Sequence, residues 1–321
     1  MHSRPTTATV LGHPVARGPA LLGALLLLLL MLSGCGITAK VTDIIDRQDS
    51  GLRKRVAVAP FTSGVAGLDD RAAAWRLVIA KTLEQQGGVV LVDFADLQAR
   101  MERLPASAAT AEDRAVEAGR PMGLNTVLAG NISDLSVQRM LKGVYGFRDN
   151  APFLSLEVEM RLLDITTGVV LGQESFKRQE PITDVLADGL GGGAKPDPKL
   201  VDKLLADVSK ETADWVARQV AAQPWGGTVL TVQGNRVQVS VGRDTGLPLG
   251  ATLYVYALGE RIKCGTGQEI CLPGPLVGKI RLSEFGNRTS WAEIVERAKP
   301  PGKDPKAAVP AFAVGQYVRT R

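Results

Sequence analysis

The hydrophobic pattern divides the chain into two textures. From Arg53 to Ala221 the apolar positions alternate between helical and strand spacing. Arg53 to Phe61 reads as a short buried strand closed by Pro60. Asp69 and Asp70 open a helical stretch in which Ala73, Leu77, Ala80 and Leu83 share a face, and Gly87-Gly88 ends it. Val89 to Val92 is a second buried strand. Asp93 or Asp96 caps a helix carrying Leu97, Met101 and Leu104, and a small helix follows near Ala111 to Ala118. Three long strands come next. Asn125 to Val137 is apolar and then alternates. Phe153 to Leu163 places Leu154, Leu156, Val158, Met160 and Leu162 on one face, with Ser155, Glu157, Glu159 and Arg161 on the other. Val169 to Lys177 returns as a hairpin across the turn Asp164 to Gly168. After a flexible Gly-rich bridge, Val201, Leu204, Leu205, Val208, Thr212, Trp215, Val216 and Val220 keep a period of 3.6 and predict an amphipathic helix.

From Trp225 onward the texture changes to short strands punctuated by glycine. Gly227 to Val232, Arg236 to Val241, Ala251 to Ala257, Leu276 to Glu284, Ser290 to Glu296 and Val314 to Arg319 make five or six strands, the pattern of a small SH3-like β-barrel. The predicted class is therefore α+β: a mixed-sheet α/β sandwich over residues 53–221, then an all-β barrel over 222–321, with the boundary near Ala221 to Trp225.

The residues before 53 follow neither pattern. Arg4 and Arg17 precede an apolar run of thirteen residues, Ala20 to Leu32, with no acidic residue. That run is too short to span a bilayer, which takes about 20 residues, and has the length of a signal-peptide core. Leu32-Ser33-Gly34-Cys35 closes it and resembles the bacterial lipobox. That resemblance implies removal of residues 1–34 and acylation of Cys35 by two or three chains, enough for a stable membrane anchor. Residues 35–52 then form a polar tether. Gly36 stands where an Asp would retain a lipoprotein at the inner membrane under the enterobacterial sorting rule, so the rule points to the outer membrane, facing the periplasm.

Composition narrows the chemistry. Removing residues 1–34 takes two cations and no anion, so the net charge falls from +5 to +3, and no basic stripe suggests a nucleic-acid partner. Both histidines, His2 and His13, lie in the discarded segment. A mature chain without histidine has no Ser-His-Asp or Cys-His machinery and no His-ligated zinc site. With Cys35 committed to lipid, Cys264 and Cys271 remain, six residues apart in between. In an oxidising periplasm they close a stapled loop worth roughly 2–3 kcal/mol; the competing redox-active reading would favour a Cys-x-x-Cys spacing.

Candidate sites are few. Gly189 to Lys195 looks like a phosphate loop, but Pro196 follows Lys195 where a Walker loop has Ser or Thr, so a linker is expected. Glu157 and Glu159 lie about 7 Å apart on one strand face, within glycosidase range, yet their alternation marks a solvated face. Asp69 and Asp70 are expected to serve the helix N-terminus and not a metal. The stretch Val137 to Phe153 holds Met140, Leu141, Tyr145, Phe147 and Arg148, an interface composition; Tyr145, Phe147 and Arg148 are the partner-binding candidates. The alternative there is a longer hairpin whose apolar residues fold back on the core. The loop Lys263 to Pro275 is a second docking candidate. No catalytic residue, metal or cofactor is expected.

Arg55-Val56-Ala57-Val58-Ala59-Pro60-Phe61, Leu91-Val92-Asp93, Val127 to Ile132 and Leu162 to Gly168 occur in an order that resembles the fold shared by curli-type secretion lipoproteins, lipoprotein activators of penicillin-binding proteins and the middle domain of flagellar assembly protein T. Gly227 to Gly234, Val237 to Gly242, Gly246, Gly250, Tyr254-Val255-Tyr256, Val277 to Ile280 and Gly315 to Val318 are similar to that flagellar protein's C-terminal domain. The chain departs from the flagellar protein in showing a lipobox and a tether too short for its further N-terminal domain. It departs from the curli type in lacking a clear pair of membrane hairpins. The resemblance implies a non-enzymatic scaffold or assembly factor of an envelope complex, flagellar assembly included, with protein partners and self-association both open. An oligomeric curli-type secretion lipoprotein and an activator of a penicillin-binding protein are the alternatives.

Overall fold

Val56 and Val58 lie in one hydrophobic core and Ala57 in another, so a five-residue strand, β1 (Lys54–Val58), divides two apolar layers. The computed structural model describes residues 51–105, 110–142, 149–264, 269–299 and 311–320. The segment Gly51–Arg321 forms one unit. After β1 come β2 (Thr62–Ser63), α1 (Asp69–Gln86), β3 (Val89–Val92), α2 (Phe94–Met101) and α3 (Ala111–Gly119). The long strands β4 (Thr126–Lys142), β5 (Asp149–Asp164) and β6 (Val170–Pro181) precede α4 (Asp184–Gly191) and α5 (Pro198–Ala222). The sheet order is β3-β1-β4-β5-β6, with β2 beside β4. β1 pairs in parallel with β3 and β4, whereas β4–β5 and β5–β6 are antiparallel, so the sheet is mixed. α1 and α5 cover one face; α2 and α3 cover part of the other.

The periodic helix α5 buries the expected stripe, Val201, Leu204, Leu205, Val208, Thr212, Trp215, Val216 and Val220. In α1 the buried residues are Ala72, Trp75, Ile79 and Leu83, while Leu77 is 64% exposed. The expected face through Ala73 and Leu77 is thus rotated. Trp75 and Ile79 hide more apolar area than Ala73 and Leu77, and the indole also donates to Ser209 Oγ at 3.0 Å. Asp93 is the residue that caps α2, accepting from the Ala95 N–H. Asp69 and Asp70 lie in the first turn of α1, where their charge complements the helix dipole.

Of the two readings of Val137 to Phe153, the longer hairpin is the one observed, without its apolar residues folding back, and part of the Gly-rich bridge is helical. β4 and β5 stay paired from Gln138–Phe153 out to Lys142–Asp149. Backbone pairing continues past the region where side chains reach a core, and Met140 and Leu141 remain exposed instead of folding back. The Gly-rich bridge begins as helix α4. Thr183 caps it, and Arg139 pairs with Asp184 at 2.6 Å and Asp188 at 3.2 Å. The Thr183 cap supports the helix start, and the exposed Arg139 pairs add little to it.

Strands β7 (Gly226–Gln233), β8 (Arg236–Val239), β9 (Thr252–Lys263), β10 (Glu269–Phe285), β11 (Ser290–Arg297) and β12 (Tyr317–Arg319) close a six-stranded barrel in the order β10-β11-β8-β7-β12-β9. Trp225, 1% exposed, opens its core. Gly242 permits the closure: a Cβ there would stand 2.0 Å from the Asn287 carbonyl. The expected stapled loop is instead a long β9–β10 hairpin, and Cys264 and Cys271 are both free thiols. Cys271 lies opposite Arg261 of β9, and Cys264 is three positions further on, just past the end of that strand. Three strand residues span about 10 Å, beyond disulfide reach. Among the described residues no helix is long and apolar enough to cross a membrane.

The rotated face of α1 is tested by two alanine substitutions. Ile79→Ala is expected to lower unfolding stability by about 2–5 kcal/mol, and Leu77→Ala to change it by no more than about 0.5 kcal/mol, in urea unfolding followed by circular dichroism.

Candidate functional site at the sheet–barrel junction

β1 begins with two adjacent cations, Lys54 and Arg55, that are 3% and 2% exposed. Neighbours on a strand point to opposite faces, so they serve different partners. Lys54 Nζ donates to the carbonyls of Val220 at 2.8 Å, Ala221 at 3.0 Å and Gln223. A cation there satisfies the last carbonyls of α5 and complements its dipole. Arg55 turns toward the barrel. Its Nε and Nη2 donate to the two carboxylate oxygens of Asp244, each at 2.8 Å. Nη1 donates to Ser240 O at 2.8 Å and Met122 O at 3.1 Å, and Nη2 also to Arg288 O at 2.9 Å. All five guanidinium donors are used, and the bidentate pair with Asp244 fixes the ring plane as well as the charge.

The backbone is tailored to this contact. The Asn125 side chain accepts from the Arg55 N–H at 2.9 Å and donates to Gly226 O at 3.0 Å, joining β1 to the first barrel strand. Gly123 has φ +67°, and a Cβ there would lie 2.7 Å from Arg55 Nη1 and 2.4 Å from Ser240 O, so only glycine fits. Leu52 packs on the barrel core, and the Arg53 N–H donates to Thr245 O at 2.8 Å. Leu52 and Arg53 therefore lie at the seam between the two cores.

A second contact forms on the turn Asp164 to Gly168. The Tyr317 hydroxyl donates to Thr166 O, which also accepts from Arg120 Nη2 at 2.9 Å. Arg120 lies 5.6 Å above the Tyr317 ring. The Cys271 N–H donates to Thr167 O at 2.8 Å, and the Glu269 N–H to Asp113 Oδ1 at 3.0 Å. Cys271 thus reaches the sheet through its backbone, not through a disulfide. Burial pushes the Tyr317 phenol well above the ordinary tyrosine range, and the neighbouring Cys271 thiol adds to the rise.

Two clefts bear on the candidate residues, the first at the junction and the second away from it. One of about 480 Å³ lies between β3, α2 and the barrel loops, lined by Arg55, Arg100, Arg103, Asp244 and Arg288 among others. A larger one of about 790 Å³, more apolar, lies between the β2–α1 loop, β4, β5 and the segment entering α5. Lys195 lines it, and Asp197 accepts from the Lys199 N–H, so the glycine-rich run leads into a helix cap and not a phosphate loop.

Of the residues singled out from sequence, Cys35, Tyr145, Phe147 and Arg148 lie outside the described residues. Glu157 and Glu159 are half-buried rather than solvated; Glu157 sits opposite Lys177 and Glu159 opposite Ser175 on β6. Among the described residues no group of three His, Cys, Asp or Glu side chains is placed to hold a metal ion. Lys54, Arg55 and Asp244 were not foreseen. Their signal was two cations continuing into a strand that is otherwise apolar.

No family model and no curated protein matches the chain. Solved structures it is similar to include the hypothetical protein CT253 from Chlamydia trachomatis, at 16% identity and a TM-score of 0.35, covering 53% of this chain and 99% of that one. They also include the lipoprotein GNA1162 from Neisseria meningitidis, at 13% identity and a TM-score of 0.28, covering 51% of this chain and 99% of that one. The LpoB C-terminal domain from Salmonella enterica is similar at 15% identity and a TM-score of 0.27, covering 40% of this chain and 84% of that one.

Tyr317 makes an alkaline prediction. The unfolded phenol ionises near pH 10, whereas the folded one holds its proton. Above about pH 10 the unfolded state therefore binds fewer protons and stability falls as pH rises. In urea unfolding between pH 8 and pH 11 the wild-type midpoint is expected to drop more steeply than that of Tyr317→Phe; parallel profiles would refute the assignment.

Proposed function

We propose that this chain is a lipid-anchored envelope protein that works as a non-enzymatic scaffold or assembly factor. Cys35 carries the acyl chains, residues 36–52 set the reach, and the body from residue 53 presents two domains, 53–221 and 222–321, to protein partners in the periplasm. The observation that supports this most is the seam at Arg55. A scaffold must transmit position from its anchor to its docking faces. Here the tether arrives at Leu52 and Arg53, between the sheet and the barrel, and both cores are fastened at that point. Seventeen residue steps separate Cys35 from Leu52, so the body sits no more than about 60 Å from the acylated end at full extension.

The barrel is taken as SH3-like and the whole as related in role to the envelope assembly lipoproteins and flagellar assembly protein T that its motifs resemble. A location at the outer membrane follows from Gly36. Oligomeric secretion and activation of a penicillin-binding protein are the competing readings, and they differ in assembly size and in partner.

Fractionation and native mass measurement of the detergent-solubilised protein test the proposal together. Wild type is expected in the membrane fraction as a small assembly, and Cys35→Ser unprocessed and without acyl mass. A processed, membrane-bound Cys35→Ser protein would remove the anchor. A large stable ring would transfer the function to a secretion pore, and direct stoichiometric binding to a purified penicillin-binding protein would transfer it to activation.

A further inference from the structure

β3 is one edge of the sheet: it pairs with β1 and, among the described residues, with no other strand. The register fixes which of its backbone groups are free. The Lys54 N–H donates to Gly88 O, and Lys54 lies opposite Val89. In a parallel ladder this turns the backbone groups of Gly88, Val90 and Val92 toward β1, and the N–H and C=O of Val89 and Leu91 outward.

The two sheet edges are built differently. β6 carries Glu174, Lys177, Arg178 and Glu180 along its length and ends in Pro181, devices that keep an edge from pairing with another chain. β3 is Val89-Val90-Leu91-Val92, without a charge, a proline or a bulge. The 480 Å³ cleft runs along it. Val90, Leu91 and Val92 all line that cleft, although their side chains alternate between the two faces of the sheet, so the cleft follows the strand's edge.

The charges around this edge are predominantly positive: Arg55, Arg100, Arg103 and Arg288 line the cleft with Asp96 and Asp244. Arg55 is matched by Asp244, and Arg288 by Asp96 at 3.5 Å. Arg100 and Arg103, also lining the cleft, have no carboxylate within ion-pair distance among the described residues. The site offers a strand template beside two uncompensated guanidinium groups.

We propose that the free edge of β3 is a strand-addition site for an extended acidic segment of a partner protein, which pairs its backbone with Val89 and Leu91 and sets its carboxylates against Arg100 and Arg103. Strand addition draws affinity from main-chain hydrogen bonds and specificity from side-chain neighbours. The requirements on the partner are a short β-branched stretch, alternate acidic residues and no proline. The inference rests on the scaffold reading for the existence of such a partner, while the edge and its charge stand on the geometry alone.

The test uses the full mature chain in detergent and a labelled eight-residue peptide alternating Val and Asp, capped at both ends. Fluorescence anisotropy is expected to give saturable binding that weakens at least tenfold when alternate peptide nitrogens are N-methylated, and at least tenfold with Arg100→Glu/Arg103→Glu. Hydrogen exchange over residues 88–93 is expected to slow on binding. Equal affinity for the methylated peptide, unchanged exchange over β3, or tighter binding of a Val–Lys peptide would each overturn the proposal. So would a dimer that forms with rising protein concentration and is lost in Val90→Lys, which would give the edge to a second copy. A dimer is still a small assembly and not a ring, and none of these outcomes bears on processing at Cys35 or on the membrane fraction, so failure here and failure of the scaffold reading are distinguishable.

Discussion

A guanidinium group 2% exposed to solvent must find five acceptors inside the protein, and Arg55 finds them on three separate segments. Asp244 and Ser240 sit on the connection that follows β8, Arg288 on the β10–β11 connection, and Met122 at the end of the short 3₁₀ turn before β4. Removing one partner of such a pair leaves a buried charge uncompensated, at a cost of several kcal/mol. The barrel loops and the first strand of the sheet are therefore bound to one geometry. Gly123 and Asn125 are consequences of that geometry: the first gives the guanidinium room, and the second ties the same strand to Gly226.

The order of the chain makes this contact more than a local bolt. Residues 51–53 enter the body beside it, β1 carries it, and Lys54 next to it holds the C-terminal end of α5, which is where the chain passes into the barrel. Residues 51–53, the inner strand β1 of the sheet and the exit into the barrel thus converge within a few residues. The Tyr317 and Cys271 contacts on the turn Asp164 to Gly168 form a second point of attachment. Two points of attachment suppress rocking about either one, the property that a positional role demands.

Much of the architecture was legible in the sequence because periodicity reports burial directly. α5 kept its stripe over Val201 to Val220, and the strand faces of Phe153 to Leu163 were assigned to the correct sides. The rotated face of α1 was not legible, because Ala73, Leu77 and Ala80 satisfy helical spacing as well as Ala72, Trp75 and Ile79 do; bulk and the Ser209 hydrogen bond decide between them. The β4–β5 extension was one of two readings of Val137 to Phe153, but its exposed apolar residues were not foreseen, and the β9–β10 extension was missed: backbone ladders persist where side chains carry no burial signal. The staple at Cys264 and Cys271 was inferred from spacing, which measures loop length and not register, and register separates them. The junction itself lay beyond reach. Arg55 and Asp244 are 189 positions apart, and no local pattern marks two charges that will meet.

The sheet and the barrel are expected to unfold as one body because Arg55 joins them. Scanning calorimetry of the mature chain and of Arg55→Met measures this most directly. A single transition for wild type, with calorimetric and van't Hoff enthalpies equal, and two resolved transitions for Arg55→Met are the predicted results. Two independent transitions in wild type, or a single unshifted one in the variant, would contradict it.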